Sequence, residues 1–246
     1  MKNTLKRPGG ELASRPIHFI WIVDCSGSMY GEKIGTVNHA IQSTIPDMVD
    51  AAKNNPNAQL LIRTLKFSTG ASWVTPNPVN VNDFAWDDLA AGGVTEIGRA
   101  FDLLSAQLTI PPMTDRALPP VLVLLSDGQP TDNYKKPLDN LLQLPWGKKS
   151  VRIAISIGQD ADDDMLYEFT GNKELVLQAN NPQTLVKMIK WASTAASLVS
   201  APASKPRDYQ DLASSDSSAT NGGNAPLVLD MNNIPDPSSV GANDVW

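Results

Sequence analysis

Apolar residues run almost without a break from Ile17 to Val23 and from Val121 to Leu125, and each run stops at a short polar segment containing glycine. A strand that is apolar on both sides must be covered on both faces, so these runs predict the central strands of a buried sheet. Leu60, Ile62, Leu65 and Phe67 predict another strand, Val151 to Ile157 a further one, and Leu175 to Leu177 a short last one. Between them, Ile34, Val37, Ile41, Ile45, Met48 and Val49 recur at helical spacing, with Pro46 expected to kink that helix. Ile97, Ala100, Phe101, Leu104 and Leu108 mark a second helix, beyond which Pro111 and Pro112 discourage continuation. Helices over Pro137 to Leu144, Asp163 to Phe169 and Pro182 to about Ser197 follow.

Ser68 to Ala71 predicts a tight reversal into Ser72, Trp73 and Val74, a brief antiparallel strand at the sheet edge, because Pro76 and Pro78 cannot donate ladder hydrogen bonds. Strands and helices otherwise alternate. That pattern predicts an α/β class: a doubly wound, mostly parallel central sheet with one short antiparallel edge strand and helices on both faces. Ligands of such sheets bind beyond the carboxyl ends of the strands.

Composition divides the 246 residues into an N-terminal extension (1–15), one domain (16–197) and a tail (198–246) rich in Ser, Asn, Ala, Pro and Asp. The tail holds six Asp against Lys205 and Arg207, so −4 of the formal net charge of −6 lies there. It is too polar to fold alone. Its apolar residues gather in 226–246, as a docking segment or a strap folding back on the body. Ser214, Ser215, Ser217, Ser218 and Thr220 are kinase acceptors if a kinase partner exists, and otherwise an inert linker.

Charge and cysteine usage exclude several functions. No Lys/Arg cluster suits nucleic acid. The single Cys25 excludes an internal disulfide, and with only two His in the chain a thiolate or imidazole zinc site lacks ligands. With no apolar signal core and no run of membrane-spanning length, a cytoplasmic location without membrane insertion is the expectation.

The polar segments at the strand ends carry the chemistry. Asp24, Ser26 and Ser28 close the first apolar run, Thr95 opens the second helix, and Asp127 follows the Val121 to Leu125 strand. Asp and Ser also suit turns and caps, but five hard oxygen donors brought to one edge of the sheet would suit Mg2+ or Mn2+, and Ca2+ less well. Two carboxylates balance the ion's formal charge, and a remaining coordination position could take a carboxylate from another molecule. Cys25 is not read as a nucleophile: His39 falls on the polar side of its helix, and no oxyanion device or basic group stands nearby. Gly92 and Gly93 lack the Lys and Ser/Thr of a phosphate loop. Asp160, Asp162, Asp163 and Asp164 read as a helix start rather than a second cation site, and Trp73 and Trp86 as packing residues rather than a binding rim.

DCSGSM from Asp24, GGVTEIGRA from Gly92 and LLSDGQPTD from Leu124 resemble, in order, the three segments of a von Willebrand factor A (vWA) domain over about Pro16 to Ser197. The resemblance implies a Rossmann-like vWA fold and a metal-ion-dependent adhesion site (MIDAS) in which Asp24, Ser26, Ser28, Thr95 and Asp127 hold the metal directly or through water. SDGQPTD, the Phe84, Trp86 and Leu89 lead-in and IGQDADDDML from Ile157 look like the bacterial TerY-type branch. That branch is associated with tellurite resistance and stress response, a Ser/Thr kinase and a metal-dependent protein phosphatase. The expectation is a non-enzymatic adaptor that grips a partner's Asp or Glu. The alternatives are a metal-dependent hydrolase using the same oxygens, or an assembly subunit that binds through its tail.

Overall fold

The run Ile17 to Val23 lies in the middle of the sheet. In the computed structural model, which describes residues 14–53, 58–158 and 161–199, it belongs to β1 (Arg15–Asp24). Strand β1 pairs in parallel with β2 (Ala58–Ser68) on one side and β5 (Val121–Ser126) on the other. Further out, β6 (Val151–Ile157) and β7 (Val176–Ala179) continue the parallel run, giving the order β2-β1-β5-β6-β7 across the parallel strands. The antiparallel edge is β3 (Gly70–Trp73), turned back on β2 through Gly70, whose φ of 79° no β-branched residue tolerates. Past Pro76 and Pro78 the edge resumes for two residues as β4 (Val79–Asn80), again antiparallel to β2.

Alternate residues of β1 feed two cores. Phe19, Trp21 and Val23 pack with Ile34, Val37, Ile41 and Met48 of α1 (Glu32–Lys53) and with Leu185, Met188 and Ile189 of α6 (Pro182–Val199). Ile20 and Ile22 meet the other face. There stand Phe101 and Leu104 of α2 (Ile97–Gln107), Leu138 and Leu141 of α3 (Lys135–Gln143), Trp146 of α4 (Pro145–Lys149) and Phe169 of α5 (Asp163–Thr170). Helices therefore cover both faces, as the doubly apolar strand requires.

Pro46 lies inside an α1 that runs unbroken from Glu32 to Lys53. It is exposed, as is Gln42 one turn earlier, so the carbonyl that loses its amide partner can bond water instead. Trp86 packs in the α1-side core and donates from Nε1 to Asn38 Oδ1 at 3.2 Å, and Trp73 stacks under the Arg63 guanidinium, 3.6 Å from its ring centre. Both are packing residues. The tail features in 200–246, including 226–246 and the Ser214 to Thr220 cluster, lie outside the described residues, as do Asp160 and most of the N-terminal extension.

Candidate metal centre

Strand order reverses between β1 and β5: β2 follows β1 on one side, and the chain then crosses to start β5 on the other. At such a switch point the flanking connections diverge and leave a crevice at the carboxyl ends. Asp24 is the last residue of β1, and Asp127 directly follows Ser126, the last of β5. Topology alone brings these two carboxylates together, 103 positions apart in sequence.

Hydrogen bonds connect the predicted oxygens. Asp24 Oδ1 accepts from the Ser26 amide at 2.8 Å, Ser26 Oγ and Ser28 Oγ lie 3.0 Å apart, and Ser28 Oγ donates to Asp127 Oδ1 at 2.7 Å. A Cβ placed on Gly128 would stand 3.3 Å from Thr95 Oγ1, 3.4 Å from Ser28 Oγ and 3.9 Å from Asp24 Oδ2. All five predicted residues thus meet at one place, around a recess that a side chain at Gly128 would fill. Asp24, Ser26, Thr95 and Asp127 are buried while Ser28 is exposed, so the cluster opens to solvent on the Ser28 side.

Several residues not singled out beforehand hold this arrangement. Ser126 Oγ donates to Asp24 Oδ2 at 2.6 Å. Thr131 clamps Thr95 from both directions: its Oγ1 accepts from the Thr95 amide at 3.1 Å, and its amide donates to the Thr95 carbonyl at 2.9 Å. Asp132 Oδ1 accepts from the Gly98 amide at 3.1 Å, near the start of α2. Gly93, at φ 88°, offers its carbonyl to the Gly27 amide at 3.0 Å and leaves no room for a Cβ, which would lie 2.5 Å from Thr69 Oγ1. The glycine pair thus joins two site loops.

Lys33 is the correction. The sequence predicts no basic group near the site, yet Lys33, in the first turn of α1, places Nζ 2.6 Å from Asp127 Oδ2. Its side chain is 18% exposed and that of Asp127 is 0% exposed. Nothing in the local pattern of a helix start reveals a contact made across 94 positions.

Electrostatics favour a cation here. Burial raises the Asp24 carboxyl above its usual value, hydrogen bonds from Ser126 and Ser26 oppose the rise, and the charge of Asp127 adds to it. A positive ion at the cluster would relieve both the desolvation and the repulsion. The donor set is two carboxylates and three hydroxyls, all hard oxygens, and it fits a hard divalent cation. Among the described residues no group of three or more His, Cys, Asp or Glu side chains gathers, so a softer site is not offered instead. Cys25 is buried and its thiol is pushed up to about 12, first by burial and then by Asp24, which keeps it from being a thiolate. His39 is exposed on α1, beside Glu32, Pro182 and Val186. Asp162 caps α5 through the Met165 amide, and Asp163 accepts from Ser156 and Gln178. These two acids serve the helix start.

No protein-family model and no curated protein matches the chain. Solved structures do resemble it. Proximal thread matrix protein 1 from the mussel byssus, solved with a zinc-occupied MIDAS motif, superposes with a TM-score of 0.57 at 18% identity over 77% of this chain and 50% of its own. A von Willebrand factor type A protein from Catenulispora acidiphila gives 0.53 at 16% identity over 76% and 43%. The pilus adhesin SpaC from Lactobacillus rhamnosus GG, in its open conformation, gives 0.61 at 14% identity over 75% and 30%. The chain thus spans half or less of these structures' lengths, and what it shares with them is the von Willebrand A fold.

Proposed function

We propose that this chain is a non-enzymatic adaptor module that captures an Asp or Glu side chain of a protein partner through a divalent cation held by Asp24, Ser26, Ser28, Thr95 and Asp127. The observation that carries this reading is the convergence of those five side chains at the switch point between β1 and β5, open to solvent beside Ser28. When bound, the ion supplies an electrophilic position for a carboxylate oxygen. Asp24 and Asp127 contribute charge, the hydroxyls contribute neutral donors, and Ser126 and Thr131 fix the geometry. Mg2+ and Mn2+ suit the donors, and the zinc-occupied MIDAS of the byssus protein supports a divalent ion and adds Zn2+ to those to be tested.

The surroundings favour contact over turnover. Tyr30 is 80% exposed and Val94 44% exposed. They stand two positions beyond Ser28 and one before Thr95 in the chain, exposed apolar groups on two of the loops that carry the site. Within this reading the partners belong to a TerY-like bacterial stress-response or tellurite-resistance system, with a Ser/Thr kinase and a metal-dependent protein phosphatase, in the cytoplasm. Retention of host proteins on the immobilised full chain tests it: retention in Mg2+ is expected to disappear with chelator and with Asp127→Ala. Equal retention in all three conditions contradicts it.

A further inference from the structure

The two oxygens of Asp127 are divided. Oδ1 accepts from Ser28 within the hydroxyl cluster, whereas Oδ2 accepts from the Lys33 ammonium. Lys33 Nζ also lies 3.4 Å from where a Cβ on Gly158 would stand, just past the end of β6, while a Cβ on Gly128 would touch the oxygens of Thr95, Ser28 and Asp24. Ammonium and hydroxyl cluster therefore hold different oxygens of Asp127. With its side chain 18% exposed against 0% for Asp127, the amine is seated where charges act on each other strongly.

We propose that Lys33 is a fixed positive charge of the metal centre, setting the net charge so that the loaded site accepts an anionic carboxylate; this rests on the metal-dependent reading above. Asp24, Asp127 and Lys33 together carry a formal charge of −1. A divalent ion takes the site to +1, and one carboxylate from a partner brings it to neutrality. Without Lys33 the loaded site is already neutral, and the incoming carboxylate leaves uncompensated negative charge in a largely buried place. The same ammonium repels the divalent ion and weakens its binding. Lys33 thus acts in opposite directions on the two steps, against the ion and in favour of the carboxylate. A lysine serving only to pack or cap would not divide its effects in that way.

The test uses the full chain with Mn2+ as the ion and acetate as the carboxylate. Mn2+ affinity is read by calorimetry, and acetate uptake by the fall in water proton relaxation as it displaces Mn2+-bound water. Lys33→Met and Lys33→Gln are both expected to bind Mn2+ about tenfold more tightly and to hold acetate about tenfold more weakly, the scale of losing one partly buried charge. Lys33→Arg is expected to stay near the unsubstituted protein in both. Unchanged or weaker Mn2+ binding in both neutral variants, or unchanged acetate uptake, overturns the charge role while leaving the metal reading standing. Failure of the unsubstituted chain to bind Mn2+ overturns the metal reading and this inference with it.

Discussion

His18 sits on β1 with 6% exposure, and its Nδ1 has no hydrogen-bond partner among the described residues. Burial, aided by the charge of Arg63, lowers its pKa from 6.5 to about 4. The folded value lies below the unfolded one, so unfolding takes up a proton between them. His18 therefore contributes stability that is complete above pH 6.5 and is lost as pH falls towards 4. His18→Leu is expected to lessen that acid loss by roughly 3 kcal/mol at the low end of the window, read from urea unfolding at pH 7 and near pH 4. A pH profile unchanged by the substitution would remove His18 from the account. At this scale Asp24, Ser26 and Ser28 were legible in the sequence because their alternate spacing at the end of an apolar run is local, whereas Thr95 and Asp127, in separate loops, joined them only through the order of the three motifs. Lys33 was not legible, because its meaning comes from a contact with Asp127 that exists only once the start of α1 and the loop after β5 are brought together. Ser126 and Thr131 carry no sequence signal for the same reason: their hydroxyls are ordinary for a strand end and a turn, and only the fold bonds them to Asp24 and Thr95.

The loop after β5 works as a unit, with Asp127 in the oxygen cluster, Thr131 holding Thr95 and Asp132 bonded to the start of α2. Removing the last of these frees an amide in the first turn of that helix. Asp132→Ala is expected to cost about 1 kcal/mol in chemical denaturation, as lost caps do, and to weaken divalent-ion binding because Thr95 is less firmly seated. Loss of stability with metal affinity unchanged would separate the two roles. Gly98→Ala tests the same contact from the other side. An added Cβ would lie 2.7 Å from Asp132 Oδ2 and 3.1 Å from the Asn133 carbonyl, so a loss of about 1–3 kcal/mol is expected. Most elements could be read from hydrophobic periodicity, but α4 and β4 could not. Pro145 to Lys149 contains Pro and Gly and carries no helical period of its own, yet it forms a short helix that buries Trp146. A Cβ at Gly147 would fall 1.8 Å from the Leu141 carbonyl, so α4 exists by packing onto α3 rather than by propensity. Strand β4 has only two residues and is defined by its pairing with Leu61 and Ile62.

For the whole molecule, the position of the site follows from strand order. A chain that adds β2 on one side of β1 and β5 on the other must leave its crevice between them, and the alternation of strands and helices foretold that class of sheet. The order itself was not in the pattern, since periodicity says which strands are central but not which lie next to each other. Among the described residues no helix is long and apolar enough to cross a membrane. Every oxygen of the candidate site and both cores lie within 14–199, so a chain lacking 200–246 is expected to keep the ion affinity of the full chain. If partner retention is lost in that shortened chain while ion affinity is kept, the tail is the binding element and the adaptor reading gives way to that of an assembly subunit. The central claim, that the cluster at the β1/β5 switch point binds a divalent cation, is met most directly by calorimetric titration of Mg2+ and Mn2+ into the full chain and into Asp24→Ala. Saturable binding of one ion per chain, abolished by the substitution, is the predicted result; no binding, or binding that Asp24→Ala leaves untouched, would contradict it.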